Sequence, residues 1–359
     1  MRSPPAPRMT SVRGAVASEL AAVMPRSYGV RSIACATLRA AGDAPARYGE
    51  GMRLGVLDVG SNTVHLLIVD AHPGARPIPQ SSHKSVLRLM RYLLPDGSIS
   101  DEGVAVILES IGAAAAIARE SGLDELLSMA TSAIREATNG PEVLALVEAR
   151  TGIALQVLSG DDEAKLTFLA VRRWYGWSAG EMLLLDIGGG SLEIAAGGDE
   201  VPDVAISLPL GAGRSTVGFL HDDPPTAAQQ ETLRLHARQV LADALPAFAA
   251  EPDAHHVVGS SKTIRSLARL AGSVADGIGG TERSLLRRSQ LDDWIPRLAR
   301  IPAEARPALP GITADRTFQI VAGGIVLSEA MAAFRVRELD VSPWALREGI
   351  ILRYLDRLG

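Results

Sequence analysis

Two hexapeptides set 128 residues apart constrain this chain more than any other feature: Asp58-Val59-Gly60-Ser61-Asn62-Thr63 and Asp186-Ile187-Gly188-Gly189-Gly190-Ser191. Each ends an apolar run, LGVL in one case and MLLL in the other, and each opens a second, VHLLIVD or LEIAAGG. An apolar run bounded by small turn residues reads as a buried strand, so both segments predict strand, tight turn, strand. Self-similarity at this spacing is a repeat at domain scale. It implies two similar lobes, each built on a hairpin with a small-residue turn, facing one another across a cleft. A length of 359 residues accommodates both.

Composition narrows the setting. Hydrophobic residues make up 47% and charged residues 21% of the chain, an ordinary globular balance, and no stretch approaches the roughly 18 consecutive apolar residues of a membrane span. A net charge of −5 argues against nucleic acid or a membrane surface as partner, so a polyanionic ligand must be met by a local basic site. The single cysteine, Cys35, allows no intrachain disulfide and agrees with a cytoplasmic setting. Residues 1–51 are rich in Arg, Ala and Pro, and Ser18 and Glu19 interrupt what would be a signal peptide's apolar core. They read as a disordered extension, with Met52 as an alternative start of translation. Residues 52–176 read as the first lobe, joined by a returning C-terminal helix at 343–359, and residues 177–342 as the second. Helices are predicted over 101–122, 141–152, 162–175 and 317–334, a strand over 153–160 and a loop over 71–80.

Asp58 and Asp186 each end an apolar strand, where a carboxylate is costly unless hydrogen-bonded, paired or bound to metal. The Gly and Ser residues that follow leave backbone N–H groups free to approach an anion. Acid plus anion-holding turn, twice over, suggests a magnesium-phosphate site between the lobes, against the simpler reading of two ordinary turns. A dinucleotide fold is excluded because Gly188-Gly189-Gly190 is followed by a strand pattern instead of a helix. A P-loop is excluded too, since His256 and Ser261 stand where its glycines belong before Lys262-Thr263. Gly259, Ser260 and Lys262 nevertheless lie between a predicted strand and helix, where N–H groups and an ammonium can hold a phosphate.

The motifs DVGSNTVHLLI, ATSAIREATN, LSGDDEAKL, DIGGGSLEI, LPLGAGR, VGSSKTIRSL, the Asp315-Arg316 pair and ALREG, in this order, resemble the exopolyphosphatase/guanosine pentaphosphatase (Ppx/GppA) family over Met52 to about Leu358. The chain is similar to a short form of that family, without the helical HD-type domain that longer members carry at the C-terminus. The resemblance implies an α/β fold of two RNase H-like lobes with mixed sheets around a cleft, as in the actin, Hsp70 and sugar kinase superfamily. It implies Glu163 as general base, Asp186 and Glu193 at a Mg²⁺ or Mn²⁺ site, which Asp58 joins on the reading of the repeated turns, and Arg135 and Arg316 as substrate-phosphate contacts. Asn62, Gly189, Gly190 and Ser191 match the family's phosphate-holding turns, and Ser61, Thr63 and Gly188 belong to the same turns and are expected to bind substrate with them. A carboxylate at the head of a helix suits water activation, although Asp161 and Asp162 complement the helix dipole equally well and Asp162 competes for the role.

Other residues are ambiguous by sequence. Lys84 and His65 could reach the cleft; Arg283, Arg287, Arg288, Arg297 and Arg300 could guide a polyanion or form a solvated helix face. Trp174, Tyr175 and Trp177 are expected in the seam between lobes, and His255-His256 are expected to pack. The expected activity is metal-dependent release of orthophosphate from the end of inorganic polyphosphate. The same chemistry on guanosine pentaphosphate is the alternative, and a superfamily phosphotransferase or a non-enzymatic phosphate binder is a further one. Val321-Ala-Gly-Gly-Ile325 reads as a helix contact and not as the adenosine segment that a phosphotransferase needs. The resemblance also allows a homodimer.

Overall fold

The computed structural model describes residues 51–251, 253–276 and 282–358. The reading of the N-terminal extension, Gly51 apart, lies outside them. In chain order the elements are β1 (Met52–Val59), β2 (Thr63–Ala71), β3 (Ile78–Val86), α1 (Asp101–Glu120), β4 (Glu125–Ala130), α2 (Ser132–Arg135), α3 (Gly140–Thr151), β5 (Gln156–Val157), α4 (Gly160–Tyr175), β6 (Met182–Ile187), β7 (Leu192–Gly197) and β8 (Val204–Leu208). There follow α5 (Ala212–Phe219), α6 (Ala227–Ala244), β9 (His256–Ser260), α7 (Ser261–Ala271), β10 (Ser273–Asp276), β11 (Glu282–Arg287), α8 (Arg288–Leu298), α9 (Ile320–Ala333), β12 (Glu338–Val341) and α10 (Leu346–Asp356).

Two mixed sheets result, one ordered β3-β2-β1-β4-β5 and the other β10-β11-β12-β9-β6-β7-β8. Their nuclei repeat. β1 runs antiparallel to β2 with Asp58 opposite His65, and β6 antiparallel to β7 with Asp186 opposite Glu193. Each first strand also has a parallel neighbour, β4 or β9, which places Met129 beside Asp58 and Ser260 beside Asp186. A helix then starts at once, α2 in one half and α7 in the other. The duplication read in the sequence is thus a duplication of register as well as of pattern.

Burial on both faces explains the unbroken apolar runs of β1 and β6. Leu57 and Val59 pack with Ile107 of α1 and Val147 of α3, while Leu54 and Val56 pack with Ile351 and Leu355 of α10. In the second half, α6 to α9 cover one face of the sheet around Leu185, Leu267, Ile295 and Ile325, and α4 covers the other with Phe168 and Val171. α4 and α10 meet so closely that a Cβ on Gly349 would stand 1.9 Å from the Leu166 carbonyl oxygen. The Val321–Ile325 segment is buried inside α9, where a Cβ on Gly323 would stand 2.5 Å from Thr263 Cγ2.

Three local expectations are corrected. The strand expected over 153–160 shrinks to Gln156–Val157, because Ser159 already caps α4. The expected loop over 71–80 gives way to β3 from Ile78, an exposed edge strand whose IPQSSHKSV sequence lacks an apolar alternation. Trp177 leaves the seam and is 66% exposed, with the Arg172 guanidinium over its ring, whereas Trp174 packs on Trp344.

Candidate active site

The two turns point at each other. In the first, Gly60 N–H donates to the Thr63 carbonyl at 3.0 Å; in the second, Gly188 N–H donates to the Ser191 carbonyl at 2.9 Å. Ser61 shares a hydrogen bond of 3.0 Å with Ser132 at the start of α2. The second turn has no room for side chains here: a Cβ on Gly190 would stand 2.4 Å from Ser132 Oγ and 2.8 Å from Ser61 Oγ. Glycine at this point is therefore required by close approach.

Between the turns lies a cavity of about 410 Å³ lined by Asp58, Ser61, Asn62, Thr63, Glu163, Asp186, Gly188, Gly189, Ser191, Glu193, Lys262 and Arg316, among others. The structure therefore gathers most of the residues singled out in the sequence. His65 and Lys84 line it too. Four do not. Gly190 packs behind the turn, and Gly259 sits where a Cβ would stand 2.7 Å from Ile264 Cγ2. Ser260 is fully buried beneath Asp186, to which it hydrogen-bonds. Arg135 is set at the edge, donating to the Leu158 carbonyl at 2.8 Å and pairing with Glu163.

Capping decides between the acids at the head of α4. Asp162 closes the cap with Ser159, whose Oγ accepts from the Asp162 N–H at 3.1 Å, and Asp161 is exposed. Glu163, only 7% exposed, turns into the cavity. Burial first, and the Glu193 charge second, push its proton affinity well above the usual carboxylate range, while the Arg135 guanidinium opposes them. Burial raises Asp186 to about 6 against the Ser260 hydrogen bond. Burial and the Asp186 charge raise Glu193 to about 7. Burial also raises Asp58, moderated by Arg347, whose Nη1 lies 3.3 Å from Asp58 Oδ2. His65 is depressed to about 3, by burial and then by the Arg347 and Lys84 charges.

Basic groups line the same cavity. Lys262, Arg265, Ser266 and Arg269 of α7 line the cavity at positions i, i+3, i+4 and i+7, one face of a helix. Ser261, at its start, adopts a left-handed φ of 79°, a conformation costly for a residue other than glycine. Arg316 is 7% exposed and its Nε has no hydrogen-bond partner. Sequence reasoning assigned no role to Arg265, Arg269 or Arg347. The helical spacing in KTIRSLAR carries a signal for the first two, but nothing local connects Arg347 to Asp58, 289 residues away. The Arg283–Arg300 run is not part of the wall: Arg283 binds Asp340, Arg287 binds Glu338, and none of the five lines the cavity.

Acidic and basic side chains line one cavity beside two backbone turns, a site of mixed charge suited to phosphate chemistry. The chain belongs to the Ppx/GppA phosphatase family, whose sequence profile matches residues 67–358. It is similar to Exopolyphosphatase 1 of Mycobacterium tuberculosis, 50% identical over 307 residues that span 85% of this chain and 89% of the relative. It is also similar to Exopolyphosphatase 2 of the same species, 29% identical over 313 residues, 84% of this chain and 98% of the relative. Among solved structures, an exopolyphosphatase from Cytophaga hutchinsonii shares the fold with a TM-score of 0.76 at 24% identity, covering 86% of this chain and 99% of that one. An Aquifex aeolicus member of the Ppx/GppA family does so with a TM-score of 0.69 at 24% identity, over 86% and 99%.

Proposed function

We propose that the protein is an exopolyphosphatase that removes the terminal phosphate of inorganic polyphosphate by hydrolysis. The observation that carries this reading is Glu163, a buried carboxylate turned into an otherwise anion-holding cleft. A binder of phosphate gains nothing from such a group, whereas a hydrolase needs one to take a proton from water. Water oxygen attacks the terminal phosphorus, the bridging P–O bond breaks, orthophosphate forms, and the shortened chain departs as an anion that needs no proton. Gly188, Gly189 and the first turn orient the terminal phosphate, and the basic wall holds the phosphates behind it.

The acids fit a divalent cation such as Mg²⁺ or Mn²⁺. Asp186 and Glu193 are buried, adjacent and raised in proton affinity, which is the condition of carboxylates short of positive charge. Among the described residues no three such side chains close into a complete ligand set, and Asp58 already faces Arg347. Asp186 and Glu193 would therefore hold the ion together with water and substrate oxygens, and the ion would neutralise charge on the phosphoryl oxygens.

The test is orthophosphate release by the purified protein from polyphosphates of several lengths, guanosine pentaphosphate, and ATP, each with Mg²⁺ or Mn²⁺. Polyphosphate is expected to be the best substrate, and Glu163→Gln to lower kcat by about 10²–10⁴-fold. Inertness toward polyphosphate with either ion overturns the proposal. Full activity in the variant overturns the base.

A further inference from the structure

Lysine is scarce in this chain, with only Lys84, Lys165 and Lys262 among its 36 lysines and arginines. Two of the three line the cavity, one from β3 of the first sheet and one from α7 of the second half. Both ammonium groups converge on one carboxylate. Lys84 Nζ pairs with Asp315 Oδ2, and Lys262 Nζ stands 3.0 Å from Oδ2 and 3.3 Å from Oδ1. Asp315 lies at the rim and is not among the residues lining the cavity. It has other partners as well: the Thr313 hydroxyl donates to Oδ1, and Arg316 Nε lies 3.5 Å from Oδ2. Its backbone carbonyl accepts from Asn62 Nδ2, in the first turn, at 3.3 Å.

This arrangement differs from that of Arg265, which lines the same cavity. Arg265 is anchored to the Ser261 carbonyl at 3.2 Å and to the Pro343 carbonyl at 3.2 Å, so its guanidinium is fixed. An ammonium on a flexible four-carbon stem exchanges partners more readily than an anchored guanidinium. From this geometry we infer that Asp315 is a positioning residue that acts through Lys84 and Lys262, exchanging them with successive phosphates of the substrate and so tempering the grip on the chain. The inference rests on the exopolyphosphatase reading and adds to it a role for a residue outside the cavity.

The exchange has a definite balance. When a phosphate takes the lysines, Asp315 retains Thr313 and Arg316; when that phosphate moves on, the lysines return to Asp315. Each binding event therefore opposes an existing ion pair, and affinity is lower than two bare lysines would give. An enzyme that advances along a polymer needs such a weakness, because every phosphate held at the wall must be released before the next turnover.

The experiment uses Asp315→Asn in the full chain. Equilibrium binding of a long polyphosphate, measured in a Glu163→Gln background whose turnover is slow on the timescale of the measurement, is expected to tighten about tenfold, as is inhibition by orthophosphate. In the active background KM is expected to fall and kcat to fall with it, with release becoming slower. Asp315→Glu, which restores the charge, is expected to return both constants toward those of the unsubstituted protein. If Asp315→Asn fails to fold because two ammonium groups are left facing one another, Lys84→Gln/Asp315→Asn keeps the charge balance and is compared with Lys84→Gln alone; the double variant is expected to bind more tightly. Damage to the site weakens binding and does not strengthen it, so unchanged or weaker binding in these variants overturns the role of Asp315. Absence of orthophosphate release by the unsubstituted protein would instead overturn the underlying reading.

Discussion

The two hairpins share register and turn bond, yet they differ at the positions that carry charge. Opposite Asp58 stands His65, held neutral by a proton affinity near 3; opposite Asp186 stands Glu193, whose proton affinity is near 7. Asp58 has a guanidinium partner in Arg347, whereas Asp186 faces the Ser260 hydroxyl and feels Arg265 and Arg347 without an ion pair among the described residues. The turns divide the work as well. The first carries Ser61 and Asn62 side chains, and the second is bare glycine because those side chains fill the space in front of it. A duplicated scaffold has become one side that supplies hydroxyl and amide side chains and another that concentrates negative charge.

The largest expected effect tests that division directly. Glu193→Gln should lower kcat on polyphosphate by about a hundredfold or more, while His65→Gln should cost less than about tenfold, both read by steady-state orthophosphate release. Similar losses from the two would break the comparison. Next comes packing: Gly190→Ala should destabilise the fold by about 1–3 kcal/mol in urea unfolding, since its Cβ overlaps two hydroxyls. The counterpart Gly60→Ala should cost only about 0.5 kcal/mol, its nearest neighbour being the Thr63 carbonyl at 3.5 Å.

The smallest effect concerns pH. Glu193 is raised from 4.5 to about 7, so its contribution to stability is complete below 4.5 and is lost as pH rises through 7. His65 is lowered from 6.5 to about 3, so its contribution is present above 6.5 and is lost as pH falls toward 3. In ion-free buffer the mirrored positions therefore impose opposite slopes, each at most about 1.4 kcal/mol per pH unit, separable by unfolding Glu193→Gln and His65→Gln across that range. Magnesium should stabilise the unsubstituted protein more at pH 7.5 than at pH 5, where protons compete for Glu193.

Much of this was readable in advance because the hairpins are local: strand, turn and strand lie within about twenty residues, and small residues announce the turns. The same locality exposed the acids of α4 but left Asp162 and Glu163 level, since only the cap formed by Ser159 distinguishes the one that faces solvent from the one that faces the cleft. β3 was invisible because an exposed edge strand needs no apolar alternation. The α7 wall was legible as a helical face once that helix was placed. The Arg347–Asp58 and Lys84–Asp315 pairs were not, since they join segments brought together only by folding.

The pairing of Arg135 with Glu163 has a mechanical reading. The arginine ends α2, directly after a strand of the first sheet, and the glutamate opens α4, whose Phe168 and Val171 are seated on the second. That one contact is a gauge of the spacing between the halves. Spreading them apart would break that pair and at the same time let water reach a carboxyl that burial now holds above the usual range, two changes with opposite effects on its hold on a proton.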